Sequence, residues 1–147
     1  MRKALITLSI VGVLITVNCG DCDEAHRCLA VSAQIRSEED IGLAFRALGL
    51  QRPSGLQGPL DARIFLTRRA ATYGCEAKTH ALAQLGVLLL ERGRVEEARR
   101  VLTESLRKSP TLDACDSLAR AYDLLGDPES ARAIRVRGEA LKGQWDR

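Results

Sequence analysis

Apolar residues recur along this chain at intervals of three and four, with polar residues between them, which is the pattern of helices that bury one face. In "SEEDIGLAFRALG", Ile41, Phe45 and Leu48 form such a stripe; Ser37 stands three residues before Asp40 in capping-box spacing, and Gly49 is placed to stop the helix. "LQRPSGLQGP" then reads as a loop, and "LDARIFLTRRAAT" resumes a helix with Pro59 near its start. Residues 76–92 predict a long apolar helix ended by Gly93. Residues 95–108 predict an amphipathic one, with Val95, Ala98, Val101, Leu102 and Leu106 on one side and Pro110 closing it. "LDACDSLARAYDLLG" ends at Gly126, and "DPESARAIRVRGEALKG" begins with Asp127 as a natural N-cap and Pro128 in the first turn. Upstream, "DEAHRCLAVSAQI" is loosely helical, with Ala25, Cys28, Leu29 and Ile35 as its apolar positions. No stretch sustains period-two alternation, so strands are not expected. The pattern is all helix, arranged in hairpins.

The first residues break that pattern. "MRK" followed by "ALITLSIVGVLITV" is a short positive start and an apolar run of secretory-signal length, shorter than the roughly 18–20 residues that span a bilayer comfortably. Residues 1–18 are therefore expected to be an export signal, placing the protein in a bacterial cell envelope, as a periplasmic or lipid-anchored protein, or outside the cell. "ITVNC" resembles the lipobox of bacterial lipoproteins, which implies lipidation at Cys19. Thr16 stands where that family usually has Leu, and Asn18 where it has Gly, Ala or Ser. A cut after Val17-Asn18-Cys19 would instead release a soluble chain, and both routes stay open. Either way Cys22, Cys28, Cys75 and Cys115 remain, which in an exported chain suggests two disulfides. Cys22 with Cys28 is the local pairing and would leave Cys75 with Cys115; all three connectivities are open.

The later hairpins repeat. Gly93 and Gly126 stand 33 residues apart, as do Ala98 and Ala131, and Gly86 and Ala119. One copy reads Leu82-x2-Leu85-Gly86-x2-Leu89, then Gly93, Ala98-x3-Leu102 and Pro110; the next reads Cys115-x2-Leu118-Ala119-x2-Tyr122, then Gly126 and Ala131. This resembles the tetratricopeptide repeat, a helical-hairpin family with a 34-residue period. The resemblance implies an all-α fold, a short α-solenoid of antiparallel helix hairpins. Small residues let paired helices approach, and stacking buries a face that no hairpin could cover alone. A degenerate first copy is expected in Ile41-Gly42-x2-Phe45 and Gly49, with the loop that follows absorbing a longer spacing. The organisation expected is a Cys-rich segment and helix at 19–36, then repeats at about 37–74, 79–111 and 112–145. Arg135 falls where a large apolar residue belongs; with Arg137, Glu139 and Lys142 it gives the last helix the polar face of a terminal cap.

Composition narrows the function. The chain is 46% hydrophobic but only 3% aromatic, and its formal charge is +3, or +1 once Arg2 and Lys3 leave with the signal. That balance does not call for nucleic acid. Two histidines, no Gly-x-Ser-x-Gly and no phosphate-cradling glycine loop leave catalysis without a constellation, so neither an enzyme nor a cofactor is expected. Cys19, Cys22, His26 and Cys28 imitate a zinc or redox cluster, and a small exported redox or metal-binding protein is the alternative reading. An exported chain more readily oxidises such cysteines, so no metal is expected. The resemblance implies a binding module instead. In that family the first helix of each hairpin lines a concave groove for an extended peptide or a partner helix. Carried over, the groove-lining places are Arg36, Glu39, Leu43 and Arg46; His80, Ala83, Val87 and Leu90; and Asp113, Asp116, Arg120 and Asp123. The Lys and Asn clamp for a terminal carboxylate is missing: its places hold Glu39, Leu43, Gln84, Asp113 and Ser117. The expected partner is a protein or peptide with an apolar centre and basic groups, with a membrane engaged only through an N-terminal lipid.

Overall fold

The computed structural model describes residues 9–10, 13–14, 19–73 and 76–145. Its helices are α1 (Cys19–Ser32), α2 (Glu38–Ala47), α3 (Pro59–Thr72), α4 (Ala77–Glu91), α5 (Val95–Lys108), α6 (Leu112–Leu124) and α7 (Pro128–Trp145). Ahead of them, β1 (Ser9–Ile10) and β2 (Val13–Leu14) form an antiparallel pair, with Ser9 opposite Leu14 and Ile10 opposite Val13. This pair was not expected from the periodicity, and two residues per strand are too few to show one. The rest of the expected signal segment lies outside the described residues. Among the described residues, no helix is long and apolar enough to cross a membrane.

The helix ends are written locally. Ser37 caps α2: its hydroxyl accepts from Asp40 N, while Asp40 Oδ2 accepts from Ser37 N at 2.9 Å. Asp127 Oδ1 accepts from Ser130 N at the start of α7, and Pro128 occupies that helix's first turn. The hairpin turn between α4 and α5 depends on Gly93, whose φ is 78°. There Gly93 N donates to Leu90 O and Arg94 N to Leu89 O, which satisfies the last carbonyls of α4 in the Schellman manner. A methyl group at Gly93 would meet nothing, so only backbone strain opposes it. Gly93→Ala should accordingly cost about 1–2 kcal/mol, read as a lower urea midpoint with an unchanged slope.

Packing is all-α, a short solenoid of antiparallel hairpins. α4 lies on α5, α5 on α6 and α6 on α7, with α4 and α6 also in contact. Leu85, Leu88, Leu89, Leu102, Leu106 and Leu118 fill the centre of this stack. Ala98 and Ala131 are fully buried, so each second helix approaches its partner through a methyl group.

The first hairpin differs from the expected one. α3 packs closely on α1 and α4 and only lightly on α2. α1 meets α3 and α4 as α4 meets α5 and α6. Its buried residues Ala25, Cys28, Leu29 and Ser32 recur at the intervals of Leu82, Leu85, Gly86 and Leu89. α1 is thus the first helix of the opening hairpin, α3 is its partner, and α2 is inserted between them. The stripe of α2 serves another purpose: Ile41, Ala44 and Phe45 join Ile35, Ala62 and Leu66 in a cluster to which α4 contributes nothing. Phe45 and Phe65 stack with ring centroids 5.7 Å apart, and Arg27 donates to the carbonyl of Ala47 at 3.1 Å. α2 covers the end of the stack.

The α1–α3 contact carries a polar clasp. Glu24 Oε1 accepts from Arg69 Nε at 3.1 Å and from its Nη2 at 2.6 Å. The Tyr73 hydroxyl also donates to Glu24 and, with Arg69, holds this carboxyl below the usual range. Burial first, and then the bond to Glu24, push Tyr73 up to about 12. The folded Tyr73 therefore ionises later than the unfolded one, so its contribution is complete below pH 10 and is lost as pH rises from 10 toward 12. Glu24 has the opposite sign: its contribution is present above the ordinary carboxylate value and lost as pH falls below it. Tyr73→Phe should flatten the fall in melting temperature on the alkaline side, as followed by circular dichroism.

The disulfide expectation does not hold for Cys22 with Cys28. Both lie on α1, where six residues advance about 9 Å, beyond the roughly 7 Å that a bridge can span. Cys28 is a fully buried free thiol, and burial raises its pKa. Cys115 is likewise a buried free thiol, set against Gly138 of α7. Cys75 lies outside the described residues.

Candidate functional site

The first helices of the hairpins, α1, α4 and α6, make one face of the stack. On α4 this face carries His80, Ala83 and Val87, at spacings of three and four residues. Val87 is 40% exposed, although it sits in the most apolar helix of the protein. Beside it a cleft of about 450 Å³ opens toward the start of α6. Thr79, His80, Ala83, Gln84 and Val87 form one wall, Thr111 and Asp113 the other, and the buried Ser105 of α5 the floor; Glu76 and Ser109, the residue that ends α5, also line the cleft.

Local chemistry fixes these walls. Thr111 caps α6, its hydroxyl accepting from Ala114 N at 3.3 Å. Ser105 is buried and donates to the carbonyl of Thr79 at 3.3 Å, tying α5 to α4 beneath the cleft. Gln84 Nε2 lies 3.0 Å from His80 Nε2, a bond that Gln84 donates when that ring nitrogen is unprotonated. Among the described residues, Glu76 and Asp113 are the carboxylates lining the cleft, and no Lys or Arg lines it. An apolar strip with acidic ends favours a ligand that offers an apolar side chain next to positive charge.

The expected site residues divide into three groups. His80, Ala83, Val87 and Asp113 come together in the cleft. Asp116, Arg120 and Asp123 are exposed farther along α6, on the same line as Asp113, and Asp123 is bound by Arg135 of α7. Two residues are corrected. Leu90 is only 8% exposed and belongs to the core with Ile64 of α3, because three residues beyond Val87 turn the helix 60° short of a full circle. Arg46 is exposed but lies on the inserted α2 rather than on a first helix of a hairpin. The same displacement moves Arg36, Glu39 and Leu43 off the face. Their places are taken by Asp23, His26 and Ala30 of α1 and by Ala33 just past its end, all exposed. The spacing of Ala25, Cys28, Leu29 and Ser32 could have revealed this strip, but small and polar residue types concealed it.

The N-terminal Cys and His residues do not converge. His26 is exposed on the open face, while Cys28 is buried toward α3. Among the described residues no group of three or more His, Cys, Asp or Glu is placed to hold a metal ion. Cys19, the lipidation candidate, is the first residue of α1.

Stacked hairpins with one open face define a helical-repeat scaffold. The family model described as tetratricopeptide repeat matches residues 81–113, which cover most of α4, all of α5 and the first residues of α6. Repeats of this family generally bind other proteins or peptides. Comparison with curated proteins returns no match.

Proposed function

We propose that this protein is a non-catalytic interaction module that holds an extended peptide or a partner helix of another protein across α1, α4 and α6. The observation that carries this reading is the cleft beside Val87, apolar along α4 and bounded by Glu76 and Asp113. The partner places an apolar side chain against Ala83 and Val87 and directs basic groups toward Asp113 and Asp116. Export belongs to the same reading. Residues 1–18 act as the signal: a cut before Cys19 leaves α1 whole with Cys19 as the point of lipid attachment, whereas a cut after Cys19 removes the first residue of α1 and releases a soluble chain. Intact mass of the mature protein from membrane and soluble fractions distinguishes the two.

A labelled short peptide alternating lysine and leucine is a direct probe. It should bind saturably, and more weakly as salt is added. Val87→Lys should weaken it about tenfold or more, since the change removes apolar contact and opposes like charges. At an exposed position the melting temperature should stay within a few degrees. Absence of saturable binding, or binding that Val87→Lys leaves intact, would overturn the assignment.

A further inference from the structure

The other face of the stack holds a second concavity of opposite character. Between α5 and α7, with α6 behind them, lies a pocket of about 430 Å³. Leu106, Leu118, Tyr122 and Ile134 form its apolar floor, and Arg107 and Arg137 stand over it from α5 and α7. Among the described residues no Asp or Glu lines it. Of the other arginines on these helices, Arg99 and Arg100 pair with Glu96 and Arg135 with Asp123, while Arg120 and Arg132 do not line the pocket. Arg107 and Arg137 have no ion-pair partner among the described residues, and both are exposed.

We infer that this pocket is a second docking site, for an acidic segment of another protein that presents an apolar side chain between carboxylates. Charge complementarity selects the occupant. Two unneutralised guanidiniums flank apolar surface, where lower local dielectric strengthens a carboxylate pair relative to one in open water. The flanks belong to different helices, so a chain lying between α5 and α7 reaches Arg107 with one carboxylate and Arg137 with another while its apolar side chain meets Leu118 and Ile134. Tyr122 adds a hydroxyl engaged with Arg99, which pairs with Glu96, and the cations that line the pocket itself are Arg107 and Arg137. This site does not depend on the cleft beside Val87; it uses the opposite side chains of α6.

Fluorescence anisotropy of a labelled short peptide alternating glutamate and leucine tests it on the full mature chain. Saturable binding that falls with salt is expected. Arg107→Glu combined with Arg137→Glu should lower affinity about tenfold or more, with helix content and melting temperature unchanged because both residues are exposed. Ile134→Ala should weaken the same peptide severalfold without any change in salt dependence. Three results would overturn the inference. They are no saturable binding, affinity indifferent to the charge reversal, or sedimentation showing that the free protein self-associates through these arginines, which would make a second copy the occupant.

Discussion

Leu102→Ala is expected to destabilise the protein by about 2–5 kcal/mol, and Gly86→Ala by about 1–3 kcal/mol, with the double variant costing clearly less than the two together. Leu102 is fully buried and lies over Gly86 where α5 crosses α4. A methyl group at Gly86 would lie 3.0 Å from Leu102 Cδ1 and nearer still to its Cγ and Cδ2, so α5 must move or Leu102 must leave its rotamer. Trimming Leu102 leaves a cavity beside that point, which the new methyl group partly fills. Small domains hold only about 5–15 kcal/mol in all, so either single change removes a large share of the total. Urea unfolding of the four proteins measures the coupling. Costs that simply add would mean that Gly86 is small for some other reason. In α6 the equivalent place holds Ala119, and the residue that corresponds to Leu102 is Arg135, which pairs with Asp123.

Ala25→Asp should cost about 3 kcal/mol or more, whereas Leu43→Asp should change stability by no more than about 0.5 kcal/mol. Ala25 is 0% exposed in the cluster that joins α1 to Ala70, Ala77, Ala81 and Leu82, where a carboxylate has neither water nor a partner. Leu43 is 53% exposed on α2. The pair of measurements decides which helix opens the stack. If Leu43→Asp unfolds the protein and Ala25→Asp is harmless, then α2 and not α1 completes the first hairpin.

Much of this architecture could be read from residue order alone, because it rests on local chemistry. The boundaries of α5 agree with the expected 95–108, and the caps at Ser37 and Asp127 and the stop at Gly93 were written in side chains that act on their own neighbours. Gly86 was legible because a repeat places its small residue at a fixed step. The first hairpin was not. Ile41, Phe45 and Gly49 imitate a repeat helix closely, whereas the true one buries Ala25, Cys28 and Ser32, residue types that carry little apolar signal. Ala83 and Val87 were found by carrying over the groove places of the family the repeat resembles, but Ser105 was missed because a floor contributed by the next helix depends on how two helices meet. Leu90 failed for a related reason: three residues from a groove position is already the edge of the buried side.

The insertion of α2 also sets an order of assembly. Only three residues separate α4 from α5, and three separate α6 from α7, but 26 lie between the end of α1 and the start of α3. Three doublings of loop length add about 2 kcal/mol of chain entropy to closing that first pair. Structure is therefore expected to spread from the C-terminal hairpins toward the N-terminus, so that the end of the chain that leaves the ribosome first is the last to find its place.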